Sequence, residues 1–491
     1  MASHAMHPMQ HRLLEEHSHA PHHYNVPVLL AVQSGLSMRV LGDSLSASAA
    51  RHEALRARFP RAGGGRTQVV DPPGGAFPLE VHDLSAHPAD SRRKVFDDLC
   101  GRLQLSLDIE HGPVCRAAYI RLAPGQDRLL LLFHHLVVDA LSCRILVREL
   151  QQLIAAADRG VVAGFSRAPT GLAEYADALH EHVHRPGSAD DLDWWLARPW
   201  DRVRRLPADD PAGSLRAEDF GQVVSWLQTA DTRRLTASAA ARGATAEETL
   251  LTAIALTLSA YSASETVAME VLRHGRIPVR PDQSLLRTVG WTATFAPHLI
   301  DLPATSDPRR VLPGAVDQIR AIRERELSWG TLRYLHRDPA VRGALADLPA
   351  PRVRVNYRGS AITEAHRILR PPFTAAQEDC GQSLAPARQQ SHELKIQADL
   401  VDGRLRLVWL HSARRHSEST VRGLADYLTR TLTKLLSAPP LTQAPARRLD
   451  ARRALKGTDP RCPTPRACST PQWNSPGCGA TPPPAAPPPA A

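Results

Sequence analysis

The residues best suited to chemistry stand between Arg128 and Leu150, in the stretch RLLLLFHHLVVDALSCRILVREL. Here His134, His135, Asp139 and Ser142 crowd into one short segment. An imidazole titrates near neutral pH, so one histidine can take up and return a proton under ordinary conditions. The other histidine and the aspartate suit a holding role better than a reacting one. Pairs of histidines at strand ends also occur simply as satisfied polar groups, so the surrounding elements decide how much the pattern means.

Those elements read clearly. Leu129 to Phe133 form an unbroken apolar run with an abrupt polar stop, the pattern of a buried strand. From Cys143 on, the apolar residues Cys143, Leu146, Val147 and Leu150 recur at one helix face. The histidines and the aspartate therefore occupy a turn between a buried strand and an amphipathic helix. A rigid strand end can aim a side chain into a cleft.

Length and composition bound the rest. The 491 residues are enough for two to four domains, and 43% hydrophobic with 22% charged residues describes an ordinary globular chain. About half of the +10 net charge lies beyond Pro445, and elsewhere acids and bases alternate with no basic stripe carrying aromatics. That pattern speaks against nucleic-acid binding. Seven scattered cysteines form no CxxC pair, which fits a reducing cytoplasm, as does an N-terminus without a secretory pattern. The longest helical apolar run, Leu250 to Ala260, is far short of the roughly 20 residues of a membrane span. His7 and His11 are spaced like metal ligands on a helix, but no cysteine or carboxylate completes a set, so no metal is expected.

The segment His-His-x-x-x-Asp-x-x-Ser resembles the signature of the condensation and epimerization domains of nonribosomal peptide synthetases, within the chloramphenicol-acetyltransferase-like superfamily. It departs at Ala140, where the family usually has Gly, and at Cys143, where epimerization domains usually carry Trp. Further segments follow in family order. His22, His23, Tyr24 and Asn25 lead into the first strand, and DSLSASAARHEALRARF has a helical pattern ending at Phe59 that resembles the family's RHExLRxxF segment. RTVGW ends at Trp291, followed by Thr292 and Pro297, and HGR spans His274 to Arg276. SWGTLRYLH and VRVNYRGS, with Asn356 and Tyr357, resemble epimerization segments, and the terminal strand and helix carry Ser412 and His416. The resemblance covers roughly residues 8 to 437.

It implies an α/β fold of two acetyltransferase-like lobes in a V with the active site at their interface. Residues 1–190 would form the first lobe, 191–437 the second, and 438–491 a disordered Pro/Ala/Arg-rich tail. Trp194 and Trp195 would anchor the crossover. By the resemblance His135 is the catalytic base, His134 and Ser142 belong to its loop, and Asp139 makes a structural ion pair with Arg56. His274, Arg276, Trp291, Asn356 and Tyr357 would line or support the cleft. The substrate would arrive on the phosphopantetheine of a separate carrier protein, because no LGGxS-like site or adenylation core is present, and the chain itself would bind no cofactor.

The implied reaction is L-to-D inversion of an aminoacyl or peptidyl thioester, which needs proton-transfer groups on both faces of the α-carbon. The family's second group is a glutamate in EGHGRE. Here the aligned residues are Leu272, Arg273, His274, Gly275, Arg276 and Ile277, so both glutamates are absent. Glu270 shares the strand face of position 272 but lies roughly 7 Å away along it, as a substitute base or an ion-paired surface acid. Three functions remain open: epimerization, complete or impaired; condensation or acyl transfer through His135; and a non-catalytic docking or remnant role.

Overall fold

The structure is a computed structural model and describes residues 3–74, 77–165, 169–237, 243–303, 307–360 and 368–437. The expected disordered tail at 438–491 lies outside the described residues.

The strands are β1 (Asn25–Val32), β2 (Leu79–Asp83), β3 (Cys115–Ala123), β4 (Gln126–His134), β5 (Phe220–Trp226), β6 (Thr266–Arg273), β7 (Thr294–Asp301), β8 (Val353–Gly359), β9 (Phe373–Ala375), β10 (Leu394–Val401) and β11 (Arg404–Ser412). They build a five-stranded sheet in the order β9-β1-β4-β3-β2 and a six-stranded sheet in the order β5-β11-β10-β8-β6-β7. In the first, only the β3–β2 pair is parallel. In the second, β6, β8 and β10 run parallel and the outer pairs are antiparallel.

The expected histidine-bearing strand is β4, and its central place explains its composition. Leu129, Leu131 and Phe133 enter the main core, while Leu130 and Leu132 pack on the opposite face. That second face is covered by Phe96, Leu99 and Leu103 of a helix spanning Ala89–Gln104. A strand buried on both faces has no polar alternation to show.

Four helices matter to the site: α1 (Pro8–Glu16), α2 (Met38–Arg51), α3 (Ala140–Asp158) and α4 (Ala246–Ser262). Cys143, Leu146, Val147 and Leu150 of α3 are all buried, as their spacing predicts. Helix α4 opens with a capping box between Thr245 and Glu248.

The helical pattern toward Phe59 is interrupted. Helix α2 ends at Arg51, His52 is extended, and a single 3-10 turn covers Glu53–Arg56. The reason is tertiary. His52 is buried against Glu149 of α3 at 2.7 Å, and the chain must turn to place it there.

On the six-stranded sheet, Val353, Val355, Leu394, Ile396, Leu405, Leu407 and Trp409 are buried on one face. The other face carries Glu270, Leu272, Phe295, Arg354, Asn356, Lys395 and Gln397, brought into line by cross-strand register. Arg12 of α1 meets this face, ion-pairing Glu270 and lying over the Phe295 ring. Trp195 is fully buried against Trp329 and donates to Ser328. Strand β9 pairs with β1, so a strand from the range assigned to the second lobe joins the first sheet.

Candidate active site

The loop after β4 is fixed before any side chain reacts. His134 is fully buried, and its Nδ1 accepts from the Leu136 N–H at 3.2 Å. That leaves the proton on Nε2, which donates to the Pro21 carbonyl at 2.9 Å. Burial pushes its pKa down to about 3, so His134 stays neutral and serves as a fastener.

His135 is presented differently. Its backbone N–H donates to the Tyr24 carbonyl at 2.8 Å, but its ring is only half-buried. The imidazole lies 4.0 Å from the Trp291 ring and 5.2 Å from the Tyr24 ring, centroid to centroid. Nδ1 is buried without a regular hydrogen bond, near the carbonyls of His135 and Val138. Nε2 is therefore the ring nitrogen on the open side. Burial lowers the proton affinity of the ring below the ordinary histidine value, only partly opposed by those carbonyls and by Asp139. A neutral imidazole with one nitrogen free is a proton acceptor.

Asp139 caps α3, accepting from the Ser142 N–H at 2.8 Å. Its ion-pair partner is Arg276, not Arg56. The two Arg276 Nη atoms reach the carboxylate at 2.8 and 3.0 Å, a two-pronged contact. Arg56 instead donates to the backbone carbonyls of Ala49 and Asp71. The 3-10 turn that replaces the expected helix end carries Arg56 to those carbonyls. Arg276 also donates to the Thr288 carbonyl at 3.0 Å.

Ser142 completes the lock. Its hydroxyl shares a proton between Asp139 at 2.7 Å and the Gly290 carbonyl at 3.0 Å, and accepts from the Gly290 N–H at 2.9 Å. Gly290 precedes Trp291, so the histidine loop itself seats the ring that packs on His135. A side chain at Gly290 would strike Leu172, about 2.8 Å away. Gly275 has φ +62°, and a Cβ there would overlap the Thr292 carbonyl, so only glycine fits.

His274 is exposed at the end of β6, its Nδ1 accepting from the Arg276 N–H at 3.1 Å. Asn356 pairs in register with Leu272 and shares its sheet face, whereas Tyr357 alternates to the other face.

Glu270 is neither a surface acid nor an available base. It is buried, with Arg12 and Arg354 each at 2.7 Å and His392 at 3.3 Å. Burial alone would raise its pKa, but the two guanidinium groups hold it well below the usual carboxylate range. His7 caps α1 and His11 stacks on Tyr334.

The model of the Condensation domain family matches residues 3–452, nearly the whole chain. The chain belongs to the condensation and epimerization domain family of nonribosomal peptide synthetases. Chondramide synthase cmdD of Chondromyces crocatus is 33% identical over 437 residues, covering 87% of this chain and 11% of that protein. A linear gramicidin synthase of Brevibacillus parabrevis is 29% identical over 439 residues, covering 88% of this chain and 8% of that protein. The chain thus spans about a tenth of the length of the curated relatives it matches. Among solved structures, the epimerization domain from the third module of tyrocidine synthetase B superposes with a TM-score of 0.77 at 22% identity. The superposition covers 89% of this chain and 98% of that one, and shows the shared fold. Among the described residues no helix is long and apolar enough to cross a membrane.

In this loop His135 keeps a ring nitrogen open, while His134, Asp139 and Ser142 are each engaged in hydrogen bonds that fix the backbone or neighbouring side chains. Sequence reasoning missed Arg12, Arg354 and His392 around Glu270, and Arg388 over Tyr24 at 4.3 Å. No spacing announces them, because each partner comes from a different element.

Proposed function

We propose that this chain is an epimerization-type domain that moves the α-proton of an aminoacyl or peptidyl thioester carried on the phosphopantetheine of a carrier protein. The observation that carries the reading is the presentation of His135. It is neutral by burial, packed against both Trp291 and Tyr24, which stack on each other, with Nε2 open. The RTVGW and LRYL segments, in their family order, support the epimerization type over plain condensation.

The α-carbon–hydrogen bond breaks with its proton going to His135 Nε2, and the electron pair moves onto the thioester oxygen as an enolate. Proton return from the opposite face falls to water, because Leu272 carries no proton and Glu270 is committed to Arg12 and Arg354. One-base chemistry of this kind gives exchange faster than inversion. The test loads carrier protein with an L-aminoacyl phosphopantetheine thioester in deuterated water and follows α-deuterium and chirality. Deuterium incorporation that disappears in His135→Ala is expected. No exchange with any of a panel of amino acids would reject proton transfer at carbon.

The loss of a carboxyl at position 272 and the sequestration of Glu270 favour a second reading, peptide-bond formation or acyl transfer. Activating an amine or hydroxyl nucleophile needs one base, and His135 supplies it. Product formation between two loaded carriers, without exchange, would select this reading.

A further inference from the structure

Beside His135, the end of α1 and the sheet face that carries Glu270 gather more positive charge than they neutralise. Glu16 and Glu270 are the carboxylates of the cluster. Arg12 takes both, at 2.9 and 2.7 Å, and Arg354 takes Glu270 at 2.7 Å. His17 and His392 are driven to about 4 by burial and nearby cations, so they add no charge near neutrality.

Two cations remain. The Arg388 guanidinium lies 4.3 Å over the Tyr24 ring, and its Nε donates to the neutral His17 at 2.9 Å. Lys395 donates to the side-chain oxygen of Gln390 and faces the Phe220 ring at 5.3 Å. Neither has a carboxylate within ion-pair distance among the described residues. Both are partly open rather than sealed. Desolvated charges without counterions are costly, and a structure that keeps them is poised for an anion.

Their position says which anion. The Tyr24 ring touches both groups: the Arg388 guanidinium lies 4.3 Å over it, and the His135 ring packs against it at 5.2 Å, tilted by 56°. We infer that Arg388, aided by the charge of Lys395, binds a side-chain carboxylate of the carrier-bound substrate while its α-carbon sits at His135. The substrate class is therefore an acidic aminoacyl or peptidyl thioester, an inference that rests on the thioester reading above. Burial and the neighbouring Arg354 and Arg388 bring Lys395 to about 7, so an arriving carboxylate draws a proton onto it. Affinity is then greatest below pH 7 and falls as the free lysine deprotonates above it.

The test compares binding of the amide analogues L-glutamyl- and L-glutaminyl-pantetheine to the whole chain by calorimetry at pH 6.5 and 8.5. The two differ only by the carboxylate. The expected result is a glutamyl preference of at least about tenfold at pH 6.5, the size of a single well-placed charge contact. The preference shrinks at pH 8.5, disappears in Arg388→Gln, survives in Arg388→Lys, and loses its pH dependence in Lys395→Met. Equal affinity of wild type for the two analogues overturns the inference without relying on any variant, and so does a preference that persists in Arg388→Gln. Glutamyl preference without α-exchange on the loaded carrier retains the anion site and rejects the proton-transfer reading. Exchange at equal rates on glutamyl and glutaminyl carriers does the reverse.

Discussion

Removing the Asp139 carboxylate tests the lock that holds the histidine loop. The Arg276 side chain is 1% exposed and that of Asp139 13%, so Asp139→Ala strands a guanidinium in the interior. Breaking a buried pair from one side costs about 3–5 kcal/mol, and loss of the α3 cap adds about 1 kcal/mol. Arg276 keeps its bond to the Thr288 carbonyl, which moves the expectation to about 4 kcal/mol in all. Asp139→Asn retains an acceptor for the Ser142 N–H and should cost roughly half as much. The assay is urea unfolding of the full chain, followed by tryptophan fluorescence. In a double-mutant cycle with Arg276→Met, the combined variant should recover at least about 2 kcal/mol relative to the sum of the singles. The same cycle with Arg56→Met should be additive to within about 0.5 kcal/mol, because Arg56 bonds elsewhere. Additivity with Arg276, or coupling with Arg56, would refute the assignment of the pair.

Other expectations follow from the same geometry. Because burial lowers the proton affinity of His135, the acid limb of the exchange rate should fall below pH 6.5; Trp291→Ala should move it upward and Trp291→Phe should not. Glu270→Gln should destabilise the fold by about 3 kcal/mol by unpairing Arg12 and Arg354, while α-exchange per folded molecule stays unchanged. Gly275→Ala should destabilise the fold by more than about 2 kcal/mol, read as a lower urea midpoint, since the backbone must shift to relieve the overlap with Thr292. His7 and His134, lowered to about 3, and His298 and His392, lowered to about 4, bind fewer protons folded than unfolded. Stability should accordingly decline as the pH drops below 6.5 toward those values, read as urea midpoints at pH 7 and pH 5. A flat midpoint over that range would contradict the burial of these rings.

Local physics carried much of this protein into view. The apolar run of Leu129–Phe133, the α3 face and the Thr245 cap follow from hydrophobic period and capping chemistry, which act over a few residues. The loss of both glutamates around His274 is likewise plain in the sequence, and with it the doubt over two-base chemistry. The helix boundary at Arg51 was not legible, because it depends on His52 finding Glu149 on another helix.

Partner choice belonged to the folded arrangement. Asp139 could be matched with Arg56 or with Arg276 by charge, and only the fold brings Arg276 across 137 residues to meet it. Glu270 has the composition of a base, yet α1 and β8 deliver Arg12 and Arg354 to it and hold it ionised. Burial and long-range pairing are set by where distant elements pack, and one chain segment carries no record of its distant neighbours. Neighbouring residues along the chain were enough to specify the strand, the turn, the helix and the histidine pair between them. Packing between distant elements settled which histidine opens to the cleft, which cation holds the aspartate, and which carboxylate is spent on structure.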